Sequence, residues 1–468
     1  MEILHISAEC YPVAKVGGLA DVVGALPIYQ NALGSRSQVL MPFYNIGFTQ
    51  KNTFKEVYAS KIKFGDESID FKVLTLKKNT LGFDIFFIDI PELLYEKYVY
   101  SEDDTDRFLA FQIAALDWIV QLPKKPQLIH CHDHHTGLIP FMMSQSNDYK
   151  SLQKTPSVLT IHNAQYQGWF SHEKVYLIPE FEFTNVGLLD WNHTINPLAA
   201  GIKCAWKVTT VSPSYMEELK LNANGLEALI QTESSKCVGV LNGIDSEVWN
   251  PETDSFIDQN FSLETIQKGK KANKDWLCKE FNLDPKRPLI VFIGRLVGEK
   301  GADLFPESFK LALNNSKISI LLLGSGMSSV EKELELLKGP FEGVYNAFIG
   351  YDESLSHKMY AGADFLLMPS RVEPCGLNQM YSLRYGTVPV VSKVGGLKDT
   401  VIDIEEGGFG ICHKEITSEE IANAMERAAV FYKNTKKFET NRKKIMNIDH
   451  SWDASAEQYL NLYKSLKE

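Results

Sequence analysis

Short apolar runs rich in β-branched residues recur along the chain and alternate with longer segments of mixed polarity. Such runs predict strands that are buried on both faces of a parallel sheet. Apolar residues at helical spacing, as in 108–119 and 331–338, predict the helices between them. The predicted strands form a first set at 3–7, 38–41, 85–90, 128–130, 158–161, 208–211 and 238–241, and a second set at 289–293, 318–323, 345–349, 365–368 and 388–391.

Two sets of alternating strands and helices predict an α/β fold with two Rossmann-like, doubly wound domains. Between the sets, the stretch 242–260 is rich in Asn, Asp, Pro and Glu and contains Asn-Gly and Asn-Pro steps, which are typical of turns. We interpret it as a hinge between a domain at 1–245 and a domain at 246–448. An amphipathic pattern at 452–466 predicts a final helix, and we expect residues 449–468 to pack on the N-terminal domain.

The charge balance narrows the possible partners. The 468 residues include 48 Lys and Arg against 59 Asp and Glu, a formal net charge of −11 that is spread along the chain. We therefore expect neither nucleic acid nor a membrane surface as a partner. The seven cysteines lie at wide spacings without a Cys-x-x-Cys pair, no apolar run approaches the roughly 18 residues of a membrane span, and the chain begins with a predicted strand. These features predict a soluble, cytoplasmic protein.

A glycine pair follows the first predicted strand, in Lys15-Val-Gly-Gly-Leu, before a helix predicted to begin near Ala20. Gly17 and Gly18 would let backbone N–H groups approach a phosphate, the helix N-terminus would add a positive dipole, and Lys15 would add a full charge. A plain strand-to-helix turn with a surface lysine is the alternative. The segment has neither the Gly-Lys-Ser/Thr ending of a P-loop nor the Gly-x-Gly-x-x-Gly fingerprint of dinucleotide binding, which disfavours an oxidoreductase.

Two basic residues lie on a glycine-bounded loop after the first strand of the second set. Arg295 follows Gly294, and Lys300 precedes Gly301. Arginine can grip a phosphate with two hydrogen bonds and lysine adds a compact charge, so the pair could hold a diphosphate and stabilise the charge left when its ester bond breaks. Two solvated surface charges are the alternative.

A third candidate is the segment 369–378, which leads from a buried strand into a predicted helix. Glu373 could accept two hydrogen bonds from sugar hydroxyls, and the amides of Cys375, Gly376 and Leu377 could cradle a phosphate. Cys375 is better interpreted as a small apolar filler than as a nucleophile, because no activating base is evident.

Histidines cluster in the run His130-Cys-His-Asp-His-His. A metal site is disfavoured, because alternation along a strand that ends near His130 would send these side chains in different directions and no second His/Cys cluster is evident. Asp133 and His162, each at the end of a predicted strand, are better placed to bind sugar hydroxyls. A buried histidine satisfied by backbone groups is the alternative for His162.

Taken together, these segments resemble one family. The motifs occur in the family's order over nearly the whole chain, and they are Lys15-Val-Gly-Gly-Leu, the run at His130, Thr160-Ile-His-Asn, Asn242-Gly-Ile-Asp, Gly294-Arg with Lys300-Gly, Pro369-Ser-Arg-Val-Glu-Pro-Cys-Gly-Leu and Gly395-Gly-Leu-x-Asp-Thr-Val. The chain is similar to bacterial glycogen synthases and plant starch synthases. The resemblance implies a GT-B glycosyltransferase, with its two domains facing a cleft, that moves glucose from ADP-glucose or UDP-glucose to the non-reducing 4-OH of glycogen or another α-1,4-glucan, with retention of configuration. Family membership favours ADP-glucose as the donor.

The resemblance also implies a catalytic centre of five residues. Arg295 and Lys300 would bind the donor phosphates, Glu373 would bind the donor glucose, and Asp133 and His162 would line the sugar site. Neither a metal nor a cofactor is expected, because the cationic side chains take the role of a divalent ion.

Further matched positions would bind substrate. Asn242 would line the sugar site, Tyr351 would stack on the nucleotide base, and Asp21 and Tyr95 would complete the cleft. The other substrate-binding positions implied by the motifs are Lys15, Gly17, Gly18, Cys375, Gly376 and Leu377.

Three positions depart from the family's usual pattern. His134 stands where tryptophan is common, Glu299 where glutamine is common, and Asn378 where threonine is frequent. Glu299 could lower the positive potential next to Lys300.

Two mechanisms retain the anomeric configuration, a double displacement and a front-face attack in which the departing diphosphate takes the acceptor proton. No carboxylate in the matched motifs is an obvious nucleophile, which favours the front-face attack. Closure of the two domains would be needed to bring Lys15 and Arg295 to one ligand.

Two other functions remain open from the sequence. A sugar-nucleotide epimerase can share the two-domain architecture, and it would consume the donor without a glucan. A non-catalytic glucan-binding protein is the second alternative, which the presence of Lys15, Arg295, Lys300 and Glu373 together disfavours.

Overall fold

The computed structural model of the chain describes residues 1–466. By internal contacts the chain divides into two compact units. Unit 1 comprises Met1–Leu241 together with the segment that begins at Trp452, and unit 2 comprises Asn242–Ser451. The sequence-based boundaries at 245 and 448 lie within a few residues of these divisions.

Unit 1 is built on a nine-stranded mixed sheet. Its strand order is β11-β10-β7-β6-β1-β2-β5-β4-β3, in which neighbouring strands pair in parallel except for the antiparallel β3–β4 and β4–β5 pairs. The strands are β1 Glu2–Ile6, β2 Arg36–Pro42, β3 Phe54–Phe64, β4 Glu67–Leu76, β5 Asp84–Asp89, β6 Leu128–His132, β7 Ser157–Ile161, β10 Lys207–Thr210 and β11 Cys237–Gly239, with a separate pair β8 Asp190–Trp191 and β9 Thr194–Ile195.

Helices connect these strands. They are α1 Gly18–Ala32, α2 Gly47–Lys51, α3 Thr105–Gln121, α4 Ile139–Gln145, α5 Pro197–Cys204, α6 Pro213–Leu219, α7 Glu227–Thr232 and, after unit 2, α16 Trp452–Ser465. The predicted final helix is thereby confirmed, and α1 begins slightly earlier than its predicted start near Ala20.

The helices α1 and α16 cover one face of the sheet in unit 1. Trp452, Tyr459, Leu460 and Tyr463 of α16 join the same buried apolar cluster as residues of α1, β1, β6 and β7. Burial of large apolar and aromatic side chains is the main stabilising contribution in such an interface. The last helix in the sequence thus completes the core of the first unit.

Unit 2 contains a parallel sheet with the strand order β14-β13-β12-β15-β16-β17. Its strands are β12 Leu289–Ile293, β13 Ser319–Gly324, β14 Tyr345–Ile349, β15 Phe365–Met368, β16 Val388–Ser392 and β17 Ile411–His413. Its helices are α8 Ile266–Glu280, α9 Phe305–Asn315, α10 Ser328–Leu336, α11 Glu353–Gly362, α12 Asn378–Arg384, α13 Gly395–Thr400, α14 Ser418–Lys433 and α15 Thr435–Met446.

Both sheets reverse their strand order beside their first strand. The reversal lies between β1 and β6 in unit 1 and between β12 and β15 in unit 2. Open α/β sheets bind ligands at the carboxyl ends of the strands at such a reversal.

Among residues 1–466, no helix combines the length and the apolar character that crossing a bilayer requires.

The structure corrects one prediction about β6. The strand continues to His132 rather than ending near 130, so His130 and His132 point to the same face of the sheet and Cys131 points to the other. The prediction that alternation sends the side chains of these two histidines in different directions is therefore wrong.

Candidate active site

Three loops meet at the carboxyl edge of the unit 2 sheet, after β12, β15 and β16. The backbone N–H of Arg371 donates to Glu299 O at 2.7 Å, and the Arg371 guanidinium forms two hydrogen bonds with the Asp303 carboxylate, at 2.6 and 2.8 Å. The N–H of Gly396 donates to Glu373 O at 3.0 Å. These contacts fix the loops that carry Arg295, Lys300 and Glu373 relative to one another.

Lys300 and Glu373 form an ion pair within this cluster. Lys300 Nζ lies 2.6 Å from Glu373 Oε2, and Ser370 Oγ donates to the same oxygen at 2.9 Å. Glu373 is only 6% exposed. A buried carboxylate of this kind needs both partners, since removal of one would leave charge without compensation. Ser370 is a member of the site that sequence reasoning missed, although it lies within the quoted motif.

Two predicted ligand groups in unit 2 are open to solvent. The side chain of Arg295 is 71% exposed and lies 3.7 Å from Glu299, and Tyr351, after β14, is 85% exposed. The Glu299 departure from the family pattern thus places a carboxylate beside Arg295. At this exposure the pair is weakly held, and the Arg295 guanidinium is accessible from solvent.

Asn242 and Cys375 are brought together by the fold of unit 2. The Asn242 N–H donates to the Cys375 sulfur, and burial raises the pKa of the Cys375 thiol to about 12. This supports the interpretation of Cys375 as a buried filler, since the thiolate is the nucleophilic form. Among the described residues, Asn242 Oδ1 is buried and has no hydrogen-bond partner. Gly376 takes a positive φ of 71° just before α12, as a turn into a helix requires.

The glycine turn of unit 1 is held by a carboxylate. Glu9, on the loop after β1, accepts hydrogen bonds from the N–H groups of Val16 and Gly17 at 2.5 and 3.0 Å, and Tyr100 OH donates to its other oxygen at 2.5 Å. The N–H of Gly17, expected to face a phosphate, is therefore already engaged. Burial raises the pKa of Glu9, and its hydrogen bonds oppose that shift. Sequence reasoning missed Glu9, although an acid on the loop after a buried strand is the available signal.

Lys15 is paired on the same turn. Its Nζ lies 2.7 Å from Asp21 Oδ1, with the lysine side chain 49% exposed. Burial raises the pKa of Asp21, and Lys15 opposes this rise.

Tyr95, after β5, is 41% exposed and stacks on Phe43 with ring centroids 5.6 Å apart. Gly18 is the first residue of α1.

Asp133 and His162 lie together at the ends of β6 and β7. Asp133 Oδ1 accepts the backbone N–H of His162 at 2.7 Å, and its carboxylate also accepts the N–H of Asn163. Burial is the largest cause that raises the pKa of Asp133 to about 7. Asp133 also has φ 57° and ψ −175°, a backbone region that non-glycine residues rarely occupy. Such strain at a polar, buried residue is typical of functional sites.

Three histidines form a buried cluster beneath this edge. Ligand nitrogens of His5, His130 and His132 lie within 4.8 Å of one another, the spacing of a possible metal site. Each of their ring nitrogens, however, already has a hydrogen-bond partner, drawn from the side chains of Gln30, Tyr463, Thr160, His162 and the cluster itself. Hydrogen bonding therefore accounts for the cluster as it stands.

Comparisons with known proteins identify both halves of the chain. A family model described as the starch synthase catalytic domain matches residues 2–232, and one described as glycosyl transferases group 1 matches residues 274–445. The chain is 50% identical to a glycogen synthase from Flavobacterium johnsoniae, covering 99% of this chain and 98% of that protein. It is 35% identical to a glycogen synthase from Thermodesulfovibrio yellowstonii, covering 100% of this chain and 98% of that protein.

Solved structures give the same answer for the fold. The catalytic domain of starch synthase IV from Arabidopsis thaliana, bound to ADP and acarbose, matches with a TM-score of 0.88 and 32% identity, over 100% of this chain and 99% of that one. A sucrose-phosphate synthase from Thermosynechococcus elongatus matches with a TM-score of 0.65 at 18% identity, over 99% of this chain and 98% of that one, a likeness of fold alone.

Proposed function

The chain belongs to the family of bacterial glycogen synthases and starch synthases, and from this premise we propose that it transfers glucose from ADP-glucose to the non-reducing 4-OH of an α-1,4-glucan. The predicted family and the GT-B α/β fold are confirmed. The enzyme is a glycosyltransferase. A nucleotide sugar and a glucan are the substrate classes that the ADP and acarbose of the Arabidopsis structure support.

The observation that carries the proposal is the ion pair of Lys300 with buried Glu373 at the strand-order reversal of unit 2. A cation and a carboxylate side by side suit a ligand that presents a phosphate next to sugar hydroxyls. Lys300 and exposed Arg295 would bind the diphosphate, and Glu373 would accept hydrogen bonds from the glucose. Tyr351 would stack on the base, and the orphaned Oδ1 of Asn242 would accept a sugar hydroxyl.

Unit 1 supplies a second set of polar groups, and we assign it to the sugar. Asp133 and His162 would contact hydroxyls of the transferred glucose, while Lys15 and Asp21 would contact the donor and Tyr95 the glucan. The amides of Gly18, Cys375, Gly376 and Leu377 complete the proposed donor contacts. Because the N–H of Gly17 is held by Glu9, we expect Gly17 to act by shaping the turn.

A front-face attack is the mechanism we favour. The bond between the glucose C1 and the diphosphate oxygen breaks, and its electron pair goes to the diphosphate. The acceptor 4-OH bonds to C1 from the same face, and its proton passes to the diphosphate oxygen. Arg295 and Lys300 would stabilise the charge that develops on the leaving group, an interaction strongest in the transition state.

Release of nucleoside diphosphate tests the proposal. ADP-glucose and UDP-glucose should each be supplied with and without glycogen, with EDTA present throughout. We expect ADP release that depends on glycogen and lengthens its chains. Consumption of the donor without glycogen would indicate the epimerase, and glucan binding without turnover of either donor would indicate a binding protein. Faster turnover of UDP-glucose would overturn the choice of donor.

The leaving-group assignment has its own variants in the same assay. Arg295→Ala and Lys300→Ala should each lower kcat, by roughly 10²–10³-fold, with little change in glucan affinity. Lys310→Ala removes a charge from the solvent-facing side of α9, where the lysine side chain is 47% exposed, and should leave kcat unchanged. A loss confined to glucan affinity would contradict the assignment.

A further inference from the structure

A continuous line of hydrogen bonds runs from α1 to His162 through the core of unit 1. Gln30 Oε1 lies 2.9 Å from His5 Nε2, and His5 Nδ1 lies 3.1 Å from His132 Nε2. His132 Nδ1 in turn lies 3.0 Å from His162 Nε2. Gln30, His5 and His132 are each fully buried, whereas His162 is 9% exposed at the end of β7.

The sheet register explains why these rings meet. His5 of β1 pairs with His130 of β6, and His132 of β6 pairs with Thr160 of β7. Side chains two residues apart on a strand point to the same face, so all of these groups lie on one side of the sheet. On this side of the sheet, the side chains at the amino ends of the strands are apolar and those at the carboxyl ends are polar.

The terminal acceptor sets the direction of every bond in the line. Ser37 Oγ donates to Gln30 Oε1 at 2.6 Å, so this amide oxygen faces both Ser37 and His5. An amide oxygen can only accept, so His5 Nε2 carries the proton and its Nδ1 accepts from His132 Nε2. By the same rule His132 Nδ1 accepts from His162 Nε2.

The rule requires neutral rings, and burial provides them. Desolvation lowers the pKa of His5 to about 4 and that of His162 to about 3, and it also lowers the pKa of His132. A neutral imidazole carries one proton, so a proton on Nε2 of His162 leaves Nδ1 with a lone pair. Among the described residues, this Nδ1 has no hydrogen-bond partner.

We propose that Gln30, His5 and His132 are positioning residues that hold His162 in the tautomer with an unprotonated Nδ1, so that His162 accepts a hydrogen bond from a hydroxyl of the donor sugar. The tautomer follows from the line of hydrogen bonds and the neutral state of the buried rings. The assignment of the hydroxyl to the donor sugar rests on the proposed function.

A second branch from Gln30 provides a matched control. Gln30 Nε2 donates to Tyr463 OH at 3.4 Å, Tyr463 OH lies 2.6 Å from His130 Nδ1, and His130 Nε2 lies 2.6 Å from Thr160 Oγ1. Tyr463 is as deeply buried as Gln30 but shares no ring nitrogen with the line to His162. Tyr463→Phe therefore removes a buried hydroxyl without removing the acceptor that faces His5.

Nitrogen NMR of the full-length protein, labelled with ¹⁵N-histidine and free of ligand, tests the tautomer. Comparison with His162→Asn assigns the His162 signals. In the wild-type protein at neutral pH we expect Nδ1 of His162 at the shift of an unprotonated ring nitrogen and Nε2 at that of a protonated one. Gln30→Met should mix the two tautomers, whereas Tyr463→Phe should keep the wild-type pattern. A protonated Nδ1 in the wild-type protein would overturn the proposal even if neither variant folds.

Kinetics with altered donors tests the hydroxyl. Gln30→Met should lower kcat/KM by roughly three- to tenfold, the effect of one neutral hydrogen bond, and Tyr463→Phe should change it less. With donors that each lack one glucose hydroxyl, one analogue should abolish the difference between wild type and Gln30→Met, because the bond is then absent from both. An unchanged difference with every analogue would refute the contact. Failure of the proposed function would give a different result: the wild-type protein would show the expected NMR pattern but no glycogen-dependent turnover.

Discussion

At the scale of single residues, Asp133 combines two costs in one position. Its carboxylate is buried beside Glu9, and its φ of 57° places the backbone in a sparsely populated region. Both costs are retained because the carboxylate fixes the N–H groups of His162 and Asn163, which join the ends of β6 and β7. The residue therefore gives up stability for a defined geometry at the edge of the sheet.

The raised pKa of Asp133 predicts a pH-dependent stability. The folded protein holds the proton up to a pKa of about 7, whereas the unfolded chain releases it near the ordinary aspartate value of 3.8. The stabilising contribution of this proton is complete below the unfolded pKa and is lost as pH rises through the folded one. Asp133→Asn cannot titrate, so relative to wild type its free energy of unfolding should rise between pH 4 and 8, by at most about 4 kcal/mol.

Urea unfolding at a series of pH values measures this difference, with the same substitution at exposed Asp66 as the control. A difference between wild type and Asp133→Asn that stayed constant with pH would contradict the assignment. Above the folded pKa the variant should also be less active than wild type, because the amide cannot supply the charge of the carboxylate.

Prediction of single residues from the sequence depends on whether position alone is informative. Asp133 and His162 are candidates because each directly follows a buried strand, and the structure brings them into contact. Glu9 carries a similar signal, as an acid on the loop after β1, whereas Gln30 carries none, because its partners His5 and Tyr463 lie far from it in the sequence. From the sequence alone, Gln30 is an ordinary polar residue of a helix, because its hydrogen bond with His5 forms only when α1 packs against β1.

At the scale of elements, the loop of unit 2 that carries Lys300 depends on close backbone packing. Gly301 has φ 73°, and a Cβ at this position would lie 2.6 Å from Pro369 O. The carbonyl belongs to the loop that carries Glu373, so the approach of the two backbones sets the ion pair between Lys300 and Glu373. At Gly298, the start of the same turn, an added Cβ would meet no atom within 4 Å.

These two glycines form a matched pair for mutation. Gly301→Ala should lower the free energy of unfolding by roughly 1–3 kcal/mol, because the substitution combines a strained φ with a backbone clash. It should also lower kcat, because Lys300 moves with the loop. Gly298→Ala should change both by little. Chemical unfolding and glycogen-dependent ADP release measure the effects, and equal losses in the two variants would show that the close approach is not what matters.

The predictability of the elements follows their burial. Strands β12 and β15 lie at their predicted positions, because residues buried on both faces form uninterrupted apolar runs. The antiparallel hairpin of β3 and β4 is absent from the predicted elements. Both of its strands mix exposed charged residues with buried apolar ones, so they contain no such run.

At the scale of the whole molecule, the chain leaves unit 1 after Leu241 and returns to it at Trp452. Unit 2 is thus inserted between a sheet and the helix that completes its core. The segment that enters unit 2 and the segment that leaves it are hydrogen-bonded to each other, because the N–H of Ile244 donates to His450 O at 2.8 Å. Unit 1 cannot complete the α1–α16 cluster until the rest of the chain has been synthesised.

This arrangement predicts that damage to α16 weakens unit 1 selectively. Leu460 is 5% exposed in the cluster shared with α1 and β1, and truncation of a buried leucine costs about 2–5 kcal/mol. Leu460→Ala should therefore lose hydrogen-exchange protection in β1, β6 and β7, while the strands of unit 2 keep theirs. Asn461→Ala alters the neighbouring exposed position and should match wild type. Equal loss of protection in both units would mean that the units unfold together, and a similar loss in Asn461→Ala would mean that burial of Leu460 is not the cause.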